Sequence, residues 1–291
     1  GKKVGEACGS MPGSCFMATW DGSPSGKNLK DRFLMKAEDK TFATLILAAG
    51  KGTRMKSDLV KVLHPVAGRP MLDYVLNLAE RMGSSRIAVI IGHQADLVEA
   101  RYGNRGLAFV YQREQLGTGH AVLQAREAFA GYRGTILILC GDVPLLQAST
   151  IRELMDRHRA SGAALTVLTT LLEDPFGYGR VVKDAGGSVL GIVEHRDATD
   201  EQRKIREINT GIYCAENPFL FEAVAGIGND NAQREYYFTD IFAIARRKGV
   251  RTASVVAPDP GEVMGINSPD DLARATQIVQ ERLEEKLKDS R

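Results

Sequence analysis

The sequence lacks several features that would place it in common classes. It has no apolar run of about eighteen residues, so no membrane span is predicted. Its 38 basic and 36 acidic side chains nearly cancel, which leaves no overall attraction to nucleic acid. Its 4 cysteines are scattered and fit neither a zinc motif nor a disulfide scaffold. These absences favour a globular protein of the reducing cytoplasm that binds neither membrane nor nucleic acid.

Two familiar phosphate-binding motifs are also missing. The P-loop string Gly-x-x-x-x-Gly-Lys-Ser/Thr does not occur in the sequence. The dinucleotide fingerprint Gly-x-Gly-x-x-Gly begins at Gly50, but Met55 stands where its third glycine should be. The nucleophile-elbow string of Ser hydrolases is absent as well. The sequence therefore favours none of these three enzyme classes.

Residues 1–40 differ in texture from the remainder. They are rich in Gly, Ser and Lys, show no sustained periodicity and contain no apolar segment typical of a secretory signal. We expect 1–40 to be a poorly structured extension or an expression remnant. The folded domain is then predicted over 41–267, followed by a C-terminal helix over 268–291, where Ser268 is the expected N-cap.

From residue 41 onwards, short apolar strands alternate with segments of helical spacing. This alternation predicts an α/β fold: a mostly parallel central sheet with helices on both faces, followed by a smaller β-rich lobe. Strands are predicted at 41–48, 86–92, 107–112, 135–140, 163–171, 180–183, 188–194, 205–214 and 250–257. Helices are predicted at 71–82, 119–129, 219–224 and 239–248, besides the C-terminal one.

The first predicted strand runs into a loop rich in glycine and cations. Gly50 and Gly52 allow a sharp bend and a close approach of the backbone to a ligand. Successive N–H groups in such a turn suit phosphate oxygens. The loop also carries four positive side chains, Lys51, Arg54, Lys56 and Lys61. A plain tight turn is the alternative, but these cations favour a polyphosphate site.

Two more signals follow strands, where ligands of open α/β sheets bind. Gln112 and Gln115 precede a glycine-rich helix entry, and either amide could read the edges of a base. Asp142 directly follows an apolar strand and offers a carboxylate, which suits Mg²⁺. Taken alone, the first could be an ordinary helix entry and the second a turn cap. Together with the cationic loop they predict a nucleotide–metal site.

The order of the motifs resembles that of sugar-nucleotide pyrophosphorylases. It most closely resembles the uridylyltransferase domain of the bacterial bifunctional UDP-N-acetylglucosamine pyrophosphorylase/glucosamine-1-phosphate N-acetyltransferase family. The motifs are Leu47-Ala-Ala-Gly-Lys-Gly-Thr-Arg-Met55, Lys61-Val-Leu-His64, Glu114-Gln-Leu-Gly-Thr-Gly-His-Ala121, Gly141-Asp-Val-Pro-Leu145, Gly177-Tyr-Gly-Arg180, Ile192-Val-Glu-His195, Glu207-Ile-Asn-Thr-Gly-Ile212 and Gly265-Ile-Asn267. The resemblance spans residues 41–291 and implies a Rossmann-like nucleotidyltransferase fold.

The resemblance also implies roles for individual residues. Arg54 and Lys61 would act on the phosphates as catalytic residues, and Asp142 and Asn267 would bind Mg²⁺. The N-acetylglucosamine moiety would be held by Gly179, Glu194 and Asn209. The implied nucleotide-binding residues are Leu47, Ala48, Ala49, Gly50, Gly52, Thr53, Gln112, Gln115, Gly117 and Thr118.

The implied reaction transfers UMP from UTP to N-acetylglucosamine-1-phosphate, giving UDP-N-acetylglucosamine and pyrophosphate. A sugar-1-phosphate oxygen would attack the α-phosphorus in line, with no protein nucleophile. Two alternatives remain open: a nucleotidyltransferase for another sugar phosphate or nucleoside triphosphate, and a non-catalytic nucleotide-sensing module. Retention of Arg54, Lys61 and Asp142 argues against the module.

The sequence departs from the family pattern in three respects. Val60 replaces the proline that usually precedes Lys61, which removes a fixed φ from the loop. Cys140 lies where the family varies, so the resemblance does not define the shape of the sugar pocket. Hexapeptide repeats of a β-helix domain are absent, so we expect no acetyltransferase activity from this polypeptide. Since that domain drives trimer formation in the resembling enzymes, we expect a monomer or weak dimer here.

Overall fold

The computed structural model describes residues 41–289, except for the side chains of Lys286 and Asp289. The extension predicted over 1–40, with Cys8 and Cys15, lies outside the described residues. Residues from Thr41 onwards form one compact unit. Within 41–289, no helix is long and apolar enough to cross a membrane.

Eleven strands are present in the described part of the chain, and their bounds agree closely with the predicted apolar runs. They are β1 (Ala43–Leu47), β2 (Pro65–Val66), β3 (Arg69–Pro70), β4 (Ile87–Ile91), β5 (Ala108–Tyr111), β6 (Gly134–Cys140), β7 (Leu165–Leu171), β8 (Arg180–Lys183), β9 (Val189–Val193), β10 (Glu207–Asn217) and β11 (Thr252–Val256). Only the short β2–β3 hairpin had no predicted counterpart.

The helices are shorter on average than the predicted segments. They are α1 (Met71–Arg81), α2 (Ala95–Tyr102), α3 (Thr118–Gln124), α4 (Ala148–Ser161), α5 (Asp200–Arg203), α6 (Phe219–Val224), α7 (Ile241–Arg247) and α8 (Pro269–Asp289). Short 3-10 turns lie at Thr53–Met55, Lys61–Leu63, Gly103–Arg105, Glu127–Phe129, Phe238–Asp240 and Pro260–Val263.

The main sheet has nine strands, and its central path runs β11-β7-β10-β6-β1-β4-β5. Strands β6, β1, β4 and β5 are parallel to one another, and β11 is parallel to β7. Strand β10 is antiparallel to both of its neighbours on this path and also pairs with the β8–β9 hairpin. The predicted mostly parallel α/β sheet and its β-rich lobe are therefore confirmed.

The apolar strands bury both of their faces. All 5 residues of β4 are buried, and successive side chains enter different cores: Val89 belongs to the cluster that includes Leu76 of α1, whereas Ile90 belongs to the cluster that includes Phe242 of α7. A strand that must fill two cores needs apolar residues at every position. The continuous runs in the sequence therefore reflect a sheet covered by helices on both sides.

Three helices, α2, α4 and α5, were not predicted from the sequence. The 14-residue α4 is the longest of them, and its buried face includes the polar residues Thr150 and His158. Helix α2 buries only Val98 and Tyr102. On α4 the apolar stripe of helical spacing is short, Ile151, Leu154 and Met155, and polar residues at Thr150 and His158 stand on either side of it. On α2 two buried residues are too few to form a stripe.

A polar network explains why a histidine lies on the buried face of α4. The His158 Nδ1 atom lies 2.8 Å from Thr166 Oγ1 on β7, and its Nε2 atom lies 2.9 Å from Glu216 Oε1 on β10. Thr135 Oγ1 of β6 donates to the same carboxylate at 2.6 Å. Burial by itself raises the pKa of Glu216, but the hydrogen bonds from His158 and Thr135 outweigh it and lower the pKa.

The C-terminal helix begins as its sequence predicts. The Asp271 N–H donates to Ser268 Oγ at 3.2 Å, while Asp271 Oδ2 accepts from the backbone of Asn267 and Ser268 at 3.0 and 2.9 Å. The apolar stripe of this helix, formed by Leu272, Ala275, Val279, Leu283 and Leu287, is covered only at its start. Ala275 is 2% exposed, whereas Leu283 is 54% exposed.

We expect Glu216→Gln to weaken the pH dependence of the free energy of unfolding in acid. Because the folded-state pKa of Glu216 is lowered, its ionised form stabilises the fold above the unfolded-state value, about 4.3. That contribution is lost as the pH falls through the folded-state pKa. Urea titrations should therefore show that the free energy of unfolding differs less between about pH 7 and about pH 3 in the variant than in the wild type. Glu284→Gln, at an exposed position, is the control. Equal pH dependence in wild type and Glu216→Gln would contradict the expectation.

Candidate functional site

A cavity of about 350 Å³ lies beyond the carboxyl ends of β1, β5 and β6. Adjacent parallel strands end at this edge, so the segments that follow them converge there. Most of the predicted nucleotide-binding residues line it, together with one predicted catalytic residue and one predicted metal ligand. These are Leu47, Ala48, Ala49, Gly50, Gln112, Gln115, Gly117 and Thr118, with Lys61 and Asp142.

The remaining loop residues lie outside the cavity wall but shape it. Gly52 has a left-handed backbone with φ +63°, and a Cβ atom there would approach Lys61 Cβ to 2.7 Å. Glycine is therefore needed at this position for the stem of Lys61 to pack. Thr53 and Arg54 belong to the 3-10 turn Thr53–Met55 that follows. From this turn the Arg54 guanidinium reaches Asn267.

The backbone at Val60 is already proline-like. Its φ of −55° falls in the range that a proline ring imposes, and the side chain is only 1% exposed. Packing of the valine in the core thus holds the conformation that proline would otherwise fix. The approach to Lys61 is defined despite the departure from the family pattern.

Four predicted residues from distant parts of the sequence meet at one point. Lys61 Nζ donates to Asp142 Oδ2 in a short ion pair, and also to Asn267 Oδ1 at 2.8 Å. Arg54 Nη2 donates to the same amide oxygen at 2.8 Å. The orientation of the Asn267 amide is set by its Nδ2 atom, which donates to Gly265 O at 2.9 Å.

The chemistry of Asp142 and Asn267 fits a divalent metal. Their carboxylate and amide oxygens are hard donors, and both already face cationic groups. No cluster of three His, Cys, Asp or Glu side chains suited to a metal occurs among residues 41–289. Two protein oxygens suit a divalent ion that takes its remaining ligands from water and phosphates.

The two predicted glutamines are held by hydrogen bonds at the cavity wall. Gln112 is 5% exposed, and its Nε2 atom donates to Gly117 O at 3.1 Å. Gln115 Nε2 reaches back to Ala49 O at 2.7 Å and so joins the helix entry to the first loop. Both amides are therefore fixed in orientation before any ligand binds.

The glycines at the start of α3 make room for the protein's own backbone. A Cβ atom would lie 2.7 Å from Tyr236 O at Gly117 and 2.9 Å from it at Gly119, and Gly117 has φ +110°. Gly119 N donates to Tyr236 O at 2.7 Å. The resemblance implied a nucleotide-binding role for Gly117. The structure shows that both glycines are needed for the packing of the segment around Tyr236.

The predicted sugar-binding residues lie together on the β-rich lobe, but they do not line the 350 Å³ cavity. Asn209 N donates to Gly179 O at 2.9 Å, and a Cβ atom at Gly179 would lie 3.3 Å from Glu194 Oε1. Asn209 Oδ1 accepts from Tyr213 Oη at 2.8 Å and from Gly211 N at 3.0 Å. None of the hydrogen bonds among residues 41–289 uses its amide NH₂, which is therefore available to a ligand.

Glu194 is held in an acidic environment. Burial raises the pKa of its carboxyl, a hydrogen bond from Thr239 opposes this shift, and the charges of Asp197, Asp240 and Glu235 add to it. Thr239 Oγ1 donates to Glu194 Oε1 at 3.0 Å. This hydrogen bond holds the carboxylate in place beside Gly179.

Three residues at or near the site were given no role by sequence reasoning. Glu235 lines the cavity, and Cys140 lines it while donating from Sγ to Gly211 O at 3.3 Å. Arg180 is 1% exposed and donates to Tyr178 O, beside Gly179. Arg180 ends one of the motifs quoted above, so its position was visible in the sequence. Its burial was not.

Comparison with known proteins identifies the family. Residues 44–205 match the model of MobA-like NTP transferase domains. The bifunctional protein GlmU of Geobacter metallireducens is 54% identical over 84% of this chain and 52% of the relative. GlmU of Halalkalibacterium halodurans is 48% identical over 83% of this chain and 53% of the relative. The chain thus spans about half the length of the curated relatives it matches.

Two solved structures share the fold. A Bacillus anthracis protein assigned as a glucose-1-phosphate thymidylyltransferase superposes with a TM-score of 0.63 at 21% identity, over 81% of this chain and 94% of that one. A UDP-glucose pyrophosphorylase bound to UDP-glucose gives 0.64 at 17% identity, over 84% and 99%. At these identities the likeness shows the fold alone. The resemblance indicated by the motifs is confirmed by the GlmU matches, and the chain belongs to the family of MobA-like NTP transferase domains.

Proposed function

We propose that this chain transfers UMP from UTP to N-acetylglucosamine-1-phosphate, releasing pyrophosphate and forming UDP-N-acetylglucosamine. The observation that carries the proposal is the meeting of Lys61 and Arg54 with Asp142 and Asn267 at the edge of the cavity. Such a cluster suits a reaction that joins two polyanions beside a metal. The GlmU relatives support the same activity.

The nucleotide half of the reaction is assigned to the 350 Å³ cavity. Its polar wall at Gln112, Gly117 and Thr118 would contact the uracil and ribose. The loop from Leu47 to Gly50 runs to the cation cluster and would lie along the phosphates. A fixed amide such as Gln112 presents both a donor and an acceptor, which is what reading the edge of a base requires.

The sugar half is assigned to Gly179, Glu194 and Asn209. A partly buried carboxylate such as Glu194 can accept hydrogen bonds from sugar hydroxyls, and the NH₂ of Asn209 can donate to an acetamide or hydroxyl oxygen. Cys140 lines the nucleotide cavity and contacts Gly211, near Asn209 in the chain. The two half-sites are therefore adjacent, as transfer between their ligands requires.

Charge neutralisation and alignment account for the chemistry. Lys61 and Arg54 would offset the charge on the α-phosphate and on the leaving pyrophosphate while the sugar phosphate attacks in line. Membership of the family indicates a divalent-metal requirement. We propose that the metal is Mg²⁺, held by Asp142 and Asn267, where it supplies Lewis-acid stabilisation of phosphate charge. We also propose that the chain acts in the cytoplasm as a monomer or weak dimer.

The test of the proposal is a pyrophosphate-release assay across sugar phosphates and nucleoside triphosphates. We expect turnover with UTP and N-acetylglucosamine-1-phosphate, loss of turnover after chelation with EDTA, and recovery on addition of excess Mg²⁺. The absence of turnover with every pair would reject the enzymatic assignment. Turnover with dTTP and glucose-1-phosphate, but not with the proposed pair, would reject the proposed substrates.

We expect Asn209→Asp to impair the sugar half-site selectively. The substitution keeps the oxygen that accepts from Tyr213 and Gly211, but it replaces the NH₂ donor and adds charge beside Glu194. Loss of one such hydrogen bond should raise KM for N-acetylglucosamine-1-phosphate roughly 10-fold to 100-fold. KM for UTP should change less than about twofold. Asn104→Asp, at an exposed position, is the control. Equal changes in both KM values would contradict the assignment.

A further inference from the structure

The oxygens assigned to the metal already hold a cation that belongs to the protein. The Lys61 ammonium donates to both Asp142 Oδ2 and Asn267 Oδ1, and the guanidinium of Arg54 shares the second oxygen. The Lys61 and Asp142 side chains are only 11% and 23% exposed. This is a partly desolvated ion pair, where charge interactions are stronger than at an open surface.

The two oxygen ligands are held in a fixed arrangement. Ile266 N donates to Asp142 O at 2.9 Å, which joins the segment after β6 to the segment before α8. The amide of Asn267 is anchored at Gly265 O, and its backbone N–H is anchored at Asp271. Because Asp142 and Asn267 are tied to each other through the backbone, a change of cation is easier than a rearrangement of the ligands.

A divalent ion and the Lys61 ammonium cannot occupy these oxygens together. Two positive charges within contact distance repel strongly where solvent is partly excluded. The Lys61 stem is packed against Gly52, but its terminal ammonium is joined to the chain through several rotatable bonds. The ammonium can therefore leave while the stem stays in place.

We propose that Asp142 and Asn267 form one cation site with two alternating occupants, the Lys61 ammonium and the divalent metal. Arrival of the metal releases Lys61, and with it Arg54, for contact with substrate phosphates. The inference rests on the proposed function for the identity of those phosphates. Competition by Lys61 weakens metal binding to the free protein, because only the fraction of molecules with a vacated site is competent.

The proposal predicts opposite effects of one substitution on two properties. Lys61→Met removes the competing charge and keeps an unbranched stem, so the protein without nucleotide should bind Mn²⁺ at least about fivefold more tightly than wild type. The same variant should lose turnover. Mn²⁺ affinity is measured by electron paramagnetic resonance of the free ion, with circular dichroism to confirm the fold. Unchanged or weaker Mn²⁺ binding by folded Lys61→Met would overturn the proposal.

Two matched variants separate competition from general charge. Lys56→Met removes an exposed lysine of the same loop that forms no ion pair among the described residues, so Mn²⁺ affinity should stay within about twofold of wild type. Asp142→Asn removes a ligand and should lower the affinity. An equal rise in Lys56→Met and Lys61→Met would assign the effect to net charge and reject the exchange.

A measurement on the wild-type protein is independent of whether Lys61→Met folds. In protein labelled with ¹³C-lysine, the Cε signal of Lys61 should shift and saturate as Mg²⁺ is added without nucleotide. The signal is assigned by its loss in Lys61→Arg. Mg²⁺ binding that leaves the Lys61 signal in place would reject the exchange.

These metal titrations contain neither UTP nor sugar phosphate, so they fail or succeed separately from the turnover assay. Turnover with the proposed substrates and no exchange at Lys61 would leave the proposed function and remove this inference. Exchange at Lys61 without turnover on any substrate pair would support this inference and reject the proposed function.

Discussion

The contact of Lys61 with Asp142 and Asn267 is the interaction on which the arrangement of the site depends. It joins three segments that are far apart in the sequence: the loop after β1, the turn after β6 and the segment that leads into α8. Local contacts within these segments position the interacting side chains. Gly52 makes room for the lysine stem, and Gly265 orients the amide of Asn267. An ion pair alone would add little at an open surface, but partial burial and fixed partners give this one a defined geometry.

Strand β10 connects the parallel strands that end at the cavity with the β8–β9 hairpin. It is antiparallel to β6, which ends two residues before the proposed metal ligand Asp142, and to β8, which begins beside Gly179. A register irregularity between Asn209 and Ile212 occurs where the strand passes the site. The groups proposed to bind nucleotide and sugar are therefore carried by one continuous sheet. A rigid sheet suits a reaction whose rate depends on the alignment of two bound substrates.

The sequence predicted the sheet well because buried parallel strands leave a plain signal. It predicted helices less well wherever a partner distant in sequence satisfies a polar group. On α4, Thr150 donates to the buried carboxylate of Glu262 at 2.8 Å, and His158 contacts Glu216 at 2.9 Å. No local pattern contains these partners, so the amphipathic period is interrupted. The same limit applies to Gly117, whose neighbour Tyr236 is more than a hundred residues away in the chain.

The sequence by itself determined which side chains are proposed to bind phosphate, metal and sugar, because its motifs follow the order and spacing of those in the resembling family. The tertiary structure alone decided that Lys61 and Arg54 contact the proposed metal ligands in the free protein. It also decided that Val60 supplies a proline-like backbone by packing, and that Gly117 serves the segment at Tyr236. The physical reason is that the order and spacing of residues along a chain indicate their types and the local conformation, but not which distant residues come into contact. Which charges meet depends on how strands and loops converge at one edge of the sheet.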